Sequence, residues 1–347
     1  MAIEYKTNTV KVDLASYVHY WRGVKKIGKT TFFRDLINEL YKGDLSKGLL
    51  ISCGNENGFG ALDNLNYIVA EEWDKLDEIV EDLISKKQEL PFEFLCFDTV
   101  DELIKIAQNE IIRQHRREKG TKPSGFNGCF GGYGEPKRRL QVLIDDIMTR
   151  LKRAGYGLIW IGHTKIRDIK EKDGTEYSQL TSNLTSDYDL IFSAKADVNT
   201  IMSVEKEISD NQIKDTKRYI WFRSDGFVDA GCRFSQIEEK IDMSANDYIK
   251  ALEEAIKESL QKEMTDKEIK DQKKKEKTAK ENFYKENKAS ITSSPEKLIE
   301  QIKELLSNVP NDKKTVVSAA FKEMGVSLKD SDPKLLVQAL DYLKAMK

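Results

Sequence analysis

Residues 23 to 30 read Gly-Val-Lys-Lys-Ile-Gly-Lys-Thr, set between a strand-forming run and a helix-forming one. No other stretch limits the possible folds so strongly. Gly23 and Gly28 allow backbone conformations that side chains forbid, so successive N–H groups can turn inward around an anion. Upstream, Tyr17-Val18-His19-Tyr20-Trp21 suits a β-strand. Downstream, Phe32, Phe33, Leu36, Ile37 and Leu40 recur at helical spacing and predict a helix from Lys29 to Tyr41. Strand, glycine loop and helix in that order match the Walker A pattern G-x-x-x-x-G-K-[ST]. The pattern assigns nucleotide contact to Gly23, Val24, Lys25, Lys26, Ile27, Gly28, Lys29, Thr30 and Thr31. Lys29 would lie on the β/γ-phosphates and Thr30 on Mg²⁺, so ATP and Mg²⁺ are the expected cofactors. The positive end of the following helix dipole favours the same anion.

The rest of the first 255 residues alternates strand-like and helix-like segments, the rhythm of a mostly parallel sheet. Strands are predicted at Gly48–Cys53, Phe92–Phe97, Gly157–Gly162, Thr200–Glu205 and Tyr219–Arg223. Helices are predicted at Trp73–Lys86, Val100–Arg117 and Pro136–Ala154. The expected division is an α/β P-loop core over 1–255, a charged stretch over 256–292 and a small helical module over 293–347. In the middle stretch Lys, Glu and Asp dominate with their signs interleaved, which reads as an exposed helix or flexible linker. Ser294-Pro295-Glu296 then opens a helix with a serine cap and an N-terminal proline, and two more are predicted near Asp312–Met324 and Pro333–Met346.

Three further positions carry chemistry. Phe94-Leu95-Cys96-Phe97-Asp98 is an apolar strand ending in a carboxylate, the Walker B pattern, with Asp98 expected on the metal's water shell opposite Thr30. The next residue is Thr99, where many ring-forming ATPases have a catalytic glutamate, so a base is needed from elsewhere. Leu49-Leu50-Ile51-Ser52-Cys53-Gly54-Asn55-Glu56 delivers Glu56 at a strand's C-terminal end, where it could orient and deprotonate water. Leu158-Ile159-Trp160-Ile161-Gly162-His163 places His163 at another such tip, within reach of a γ-phosphate. Glu56 and His163, with Lys29, are the catalytic and sensing candidates, and Thr30 and Asp98 are the metal candidates.

With these motifs assembled, residues 17 to 234 resemble the RecA-like ATPases, most closely a compact phage-encoded branch linked to homologous recombination and single-strand annealing. His163 departs from the glutamine common in RecA-like proteins but suits that branch. The resemblance implies a RecA-like core, ATP bound between subunits of a ring or filament, and a basic residue reaching across from a neighbour. Arg218, Arg223 and Arg233 are the candidates for that residue. It also implies DNA-binding loops. Residues 113–139 hold eight basic against two acidic residues, a net +6, with Arg116, Arg117, Lys119, Lys122, Lys137 and Arg138 available to phosphates. Phe126, Phe130 and Tyr133 lie among its glycines and could stack on bases. A second stretch, Lys165–Asn183, contains Lys165 and Arg167 and follows the sensor directly.

The function expected is a phage or prophage single-stranded-DNA-binding recombinase or annealing protein whose ATP hydrolysis is DNA-stimulated. The alternative is an ATP-driven switch or loader whose ligand is a replication or recombination protein, docked on the C-terminal module. A single-strand-binding protein or another phage protein would suit that module. Overall charge cannot decide, because 57 Lys and Arg oppose 59 Asp and Glu. The four cysteines are dispersed with no ligand spacing, which predicts reduced thiols in a host cytoplasm, and no run of 18 apolar residues predicts a membrane span.

Overall fold

The computed structural model describes residues 8–56, 58–209, 212–260, 264–310, 312–328 and 332–346. Its strands are β1 (Val18–Gly23), β2 (Gly48–Cys53), β3 (Tyr67–Ala70), β4 (Phe94–Asp98), β5 (Gly157–Lys170), β6 (Glu176–Ser182), β7 (Val198–Ser209), β8 (Gln212–Trp221), β9 (Gly231–Cys232) and β10 (Lys240–Asp242). Eight of them run in the order β10-β8-β7-β1-β5-β4-β2-β3, with β6 paired to β5 and β9 to β7 beside this path. From β7 to β3 neighbouring strands are parallel, while β8 and β10 close that edge antiparallel. This is the mostly parallel α/β core that the sequence rhythm predicts.

The helices of the core are α1 (Lys29–Leu40), α2 (Trp73–Ser85), α3 (Val100–Lys119), α4 (Glu135–Arg153), α5 (Ser186–Ser193) and α6 (Ala245–Ser259). Because strand side chains alternate, the two faces of the sheet feed two cores. Tyr20, Leu49, Ile51, Phe97 and Trp160 pack with α2, α3 and α4. Trp21, Leu50, Cys96, Ile159 and Ile161 pack with α1 and α6. Burial on both faces explains why these strands are apolar throughout rather than alternating. Polar groups inside the second core are mutually satisfied. The Trp21 indole donates to the Tyr248 hydroxyl (2.9 Å), which lies 2.8 Å from His19 Nδ1, and His19 Nε2 faces Leu14 O at 3.2 Å. Burial holds this imidazole down at about 4.

The charged stretch becomes α7 (Asp266–Thr292), and it is not free-standing. Buried Glu276 accepts hydrogen bonds from the Val12 and Asp13 amides at 3.0 and 3.2 Å. Tyr284, buried against the first core, donates to Ile84 O at 2.7 Å. Lys277 and Lys280 pair with Glu93 and Asp13, both at 2.8 Å. Of the two alternatives, exposed helix or flexible linker, the helix forms, and one of its faces is docked on the core. Tyr284 and Ile291 enter the first core and Ile269 packs on the second, so a few sparse apolar residues dock the helix together with its polar groups.

Three helices follow, α8 (Pro295–Ser307), α9 (Lys314–Met324) and α10 (Pro333–Ala345), around Leu298, Ile302, Val317, Leu336, Leu340 and Leu343. Arg150 of α4 anchors the junction, bonding Asp77 (2.8 Å), Asp146 (2.7 Å) and the Thr292 carbonyl (2.9 Å). Lys297 of α8 reaches Asp77 at 2.7 Å and Glu81 at 3.1 Å. No helix among the described residues is long and apolar enough to cross a membrane.

Candidate nucleotide site

The parallel strands bring the sequence candidates to one edge. Gly23 lies in register with His163 on the neighbouring strand β5, Ile161 with Asp98 on β4, and Asp98 with Ser52 on β2. Thus β5 is inserted between the P-loop strand and the Walker B strand, and its tip lies beside both.

The loop from β1 to α1 has the backbone its sequence demands. Gly28 is left-handed (φ 109°) and caps α1, and Lys26 is also left-handed (φ 62°). At Gly23 an added Cβ would come 3.1 Å from Met202 and 3.2 Å from Ile27, tighter than ordinary contact, so its neighbours would have to give way. The buried Lys29 ammonium donates to the carbonyls of Gly23 (2.9 Å) and Val24 (3.1 Å). Burial lowers Lys29 to about 8, against the opposing charges of Asp98, Asp101 and Glu56. The Thr30 hydroxyl donates to Asp98 Oδ2 at 2.7 Å. Asp98 is buried, and desolvation raises its carboxyl above the usual range although Thr30 and Lys29 pull the other way.

Glu56 also reaches this space. A Cβ built on Gly58 would lie 3.3 Å from Thr30 Oγ1 and 3.7 Å from Glu56 Oε1, so hydroxyl and carboxylate face the same small volume. The Ser52 hydroxyl donates to Glu56 O at 2.6 Å and pins the chain after β2. His163 is held by a carboxylate. Its backbone N–H and its Nδ1 both meet Asp101 Oδ2, at 3.0 and 3.3 Å. Desolvation would raise Asp101, but the hydrogen bonds from His163 and Asn183 outweigh it and hold the carboxyl at about 2.

Asp101 and Asn183 escape the sequence reading. Asp101 sits in the first turn of α3, where an acid is ordinary, and its partners lie far along the chain. Arg22 escapes as well. Fully buried just before Gly23, it bonds Asp229 Oδ2 at 3.2 Å and the Asp229 carbonyl. The stretch after His163, expected as a loop, is a hairpin in which β5 and β6 pair antiparallel from Thr164↔Ser182 to Lys170↔Glu176. Asp173-Gly174 at its tip is the turn signal that could have revealed it.

The other candidates disperse. Phe126 packs against the first core, and Phe130 lies edge-on to His115 (5.0 Å between centroids) with Arg139 stacked on it at 3.6 Å, whereas Tyr133 stands in solvent. Much of the local basic charge is paired. Arg117 meets Glu110 at 3.0 Å, Lys137 meets Asp187 at 2.6 Å and Arg138 meets Glu135 at 2.8 Å, whereas Arg116, Lys119 and Lys122 are exposed. Lys165 and Arg167 fold back on the carbonyls of Asn183 and Leu184, at 2.9 and 2.5 Å. Arg223 donates to the carbonyls of Cys232 and Phe234, so its guanidinium is engaged within its own subunit. Arg233 lies 3.3 Å from Asp197, and Arg218 is exposed on β8.

A model of the AAA domain matches residues 16–234, the segment that carries this loop and all four strand tips. The chain belongs to the AAA-domain family. No curated protein matches it. The AAA domain is a P-loop ATPase domain, and its members generally take ATP with Mg²⁺. The residues present fit that pair: a left-handed glycine loop of N–H groups for phosphate, a buried ammonium, and a hydroxyl–carboxylate pair of the hard oxygen type that Mg²⁺ prefers. Thr30 and Asp98 would hold the ion, which when bound neutralises phosphate charge.

Proposed function

We propose that this chain hydrolyses ATP and uses the cycle to act on single-stranded DNA, as an annealing or recombination protein of phage or prophage type. It would assemble through ATP held between subunits and work in a bacterial cytoplasm. The observation that carries hydrolysis is the convergence of Lys29, Thr30, Asp98, Glu56 and His163 on one sheet edge. In this reading Lys29 leaves the loop carbonyls for the β/γ-phosphates. Glu56 orients the attacking water and takes its proton. His163 contacts the γ-phosphate.

The DNA assignment draws on the resemblance to the RecA-like annealing branch and on the hairpin that rises directly from His163. Ile166 on that hairpin and Phe227 beside it are exposed, with Tyr177 and Phe227 packed at 6.0 Å, and Tyr133 is free to stack on a base. A second reading, a switch whose ligand is a protein, is favoured by one observation: most basic groups of residues 113–139 are paired with acids, some within the stretch and others, such as Asp74, Glu110 and Asp187, outside it. Steady-state ATP hydrolysis with and without single-stranded DNA separates the two. Stimulation by DNA supports the first reading. Turnover indifferent to DNA, with no DNA bound in ATP, removes it and favours the second.

A further inference from the structure

The hairpin leaves the sheet directly after His163, and one carboxylate grips both of its strands at the root. Asp101 accepts the His163 amide (3.0 Å) and faces its Nδ1 (3.3 Å) on the outgoing strand. It also accepts the Asn183 side-chain amide (2.8 Å), where the returning strand ends. The Asn183 backbone N–H donates to His163 O at 2.8 Å and closes the loop of contacts. A second tie runs from the hairpin to the P-loop. Thr181 donates to Asp229 Oδ2 at 2.9 Å, and Arg22, the residue before Gly23, reaches the same oxygen at 3.2 Å. An ionised carboxylate only accepts, so Nδ1 carries a ring hydrogen toward Asp101; a phosphate oxygen also only accepts, so its contact with Nε2 requires the second ring hydrogen there, as in the imidazolium.

We propose that Asp101 is the positioning residue for His163 and that, through Asn183, it makes the setting of the imidazole and the setting of the hairpin a single coupled state. The inference rests on the reading of His163 as the γ-phosphate contact. A terminal phosphate that engages the imidazole then biases the hairpin, and a ligand on the hairpin biases the imidazole by the same free energy. An acid that merely complements the α3 dipole would contribute stability and nothing else.

Amide hydrogen exchange over residues 164–182 of the full chain, in Mg²⁺–ADP and in Mg²⁺ with a non-hydrolysable ATP analogue, tests this beside steady-state turnover. The wild type is expected to exchange more slowly with the triphosphate. Asn183→Ala should abolish that difference. Asp101→Ala should lower kcat by roughly tenfold or more with KM changed less than about threefold. Asp101→Asn, which keeps an oxygen acceptor for His163 in the same shape, should recover part of the loss. The proposal is overturned if wild-type exchange is the same in both nucleotides, if the difference persists in Asn183→Ala, or if Asp101→Ala raises KM at unchanged kcat. Should wild-type turnover ignore single-stranded DNA, the DNA reading falls while the exchange result still decides the coupling.

Discussion

Replacing Glu276 by alanine tests whether α7 belongs to the ATPase fold. The carboxylate is buried and serves the amides of Val12 and Asp13, more than 260 residues away in sequence. Alanine leaves both N–H groups without their acceptor beneath the helix. Each buried donor left unmade costs roughly 1–3 kcal/mol, so the pair should cost about 2–4 kcal/mol, allowing for partial access of water at Asp13. All four tryptophans, Trp21, Trp73, Trp160 and Trp221, lie between residues 16 and 234, so urea unfolding followed by tryptophan fluorescence reports the ATPase domain rather than the C-terminal module. With a urea slope of about 3 kcal/mol/M for a domain of this size, the midpoint should fall by about 1 M. Glu276→Gln keeps one acceptor and should fall about half as far. A midpoint within about 0.2 M of wild type would instead make α7 an appendage whose removal the core does not feel.

Other consequences follow from the site and the cores. His19 has a folded value near 4 against 6.5 when unfolded, so its contribution is full above 6.5 and is lost as pH falls toward 4. At pH 5 it should cost about 2 kcal/mol relative to pH 7. Asp146, raised by burial to about 6, works in the opposite sense over the same range, so the difference between wild type and His19→Gln in pH-dependent urea midpoints is the quantity to measure. Asp98→Asn should reduce ATP turnover by about 10²-fold or more, and chelation of Mg²⁺ should abolish it in the wild type, both read by phosphate release. Tyr133→Ala should weaken single-stranded DNA binding by about 1–3 kcal/mol in a titration without altering the unfolding midpoint, whereas Phe130→Ala, which removes a packed ring, should lower the midpoint.

The sheet and its principal helices were legible because parallel strands buried on both faces must be apolar throughout. Leu49–Cys53, Phe94–Phe97 and Leu158–Ile161 are such runs, and helical spacing marks α1 to α4 between them. The P-loop was legible because its glycines answer a local backbone requirement. What stayed hidden depends on pairings remote in sequence. Nothing in Asp101 announces a histidine 62 residues on, and nothing in the polar run around Glu276 announces two amides near the chain's start. The aromatic loop illustrates the opposite error. Phe126 and Phe130 lie in a glycine-rich basic stretch that suits base stacking, yet their rings complete their own domain. Local composition does not say which way a side chain turns.

In the proposed function this P-loop site hydrolyses ATP with Glu56 as the base. Phosphate release and ATP binding, measured together for the wild type, Lys29→Ala and Glu56→Gln, test it most directly. The wild type should show Mg²⁺-dependent turnover, and Lys29→Ala should lose both binding and turnover. Glu56→Gln should retain ATP binding with turnover reduced by about 10²–10⁴-fold. Wild-type-like turnover in Glu56→Gln, or ATP bound but never hydrolysed by the wild type, would contradict that function.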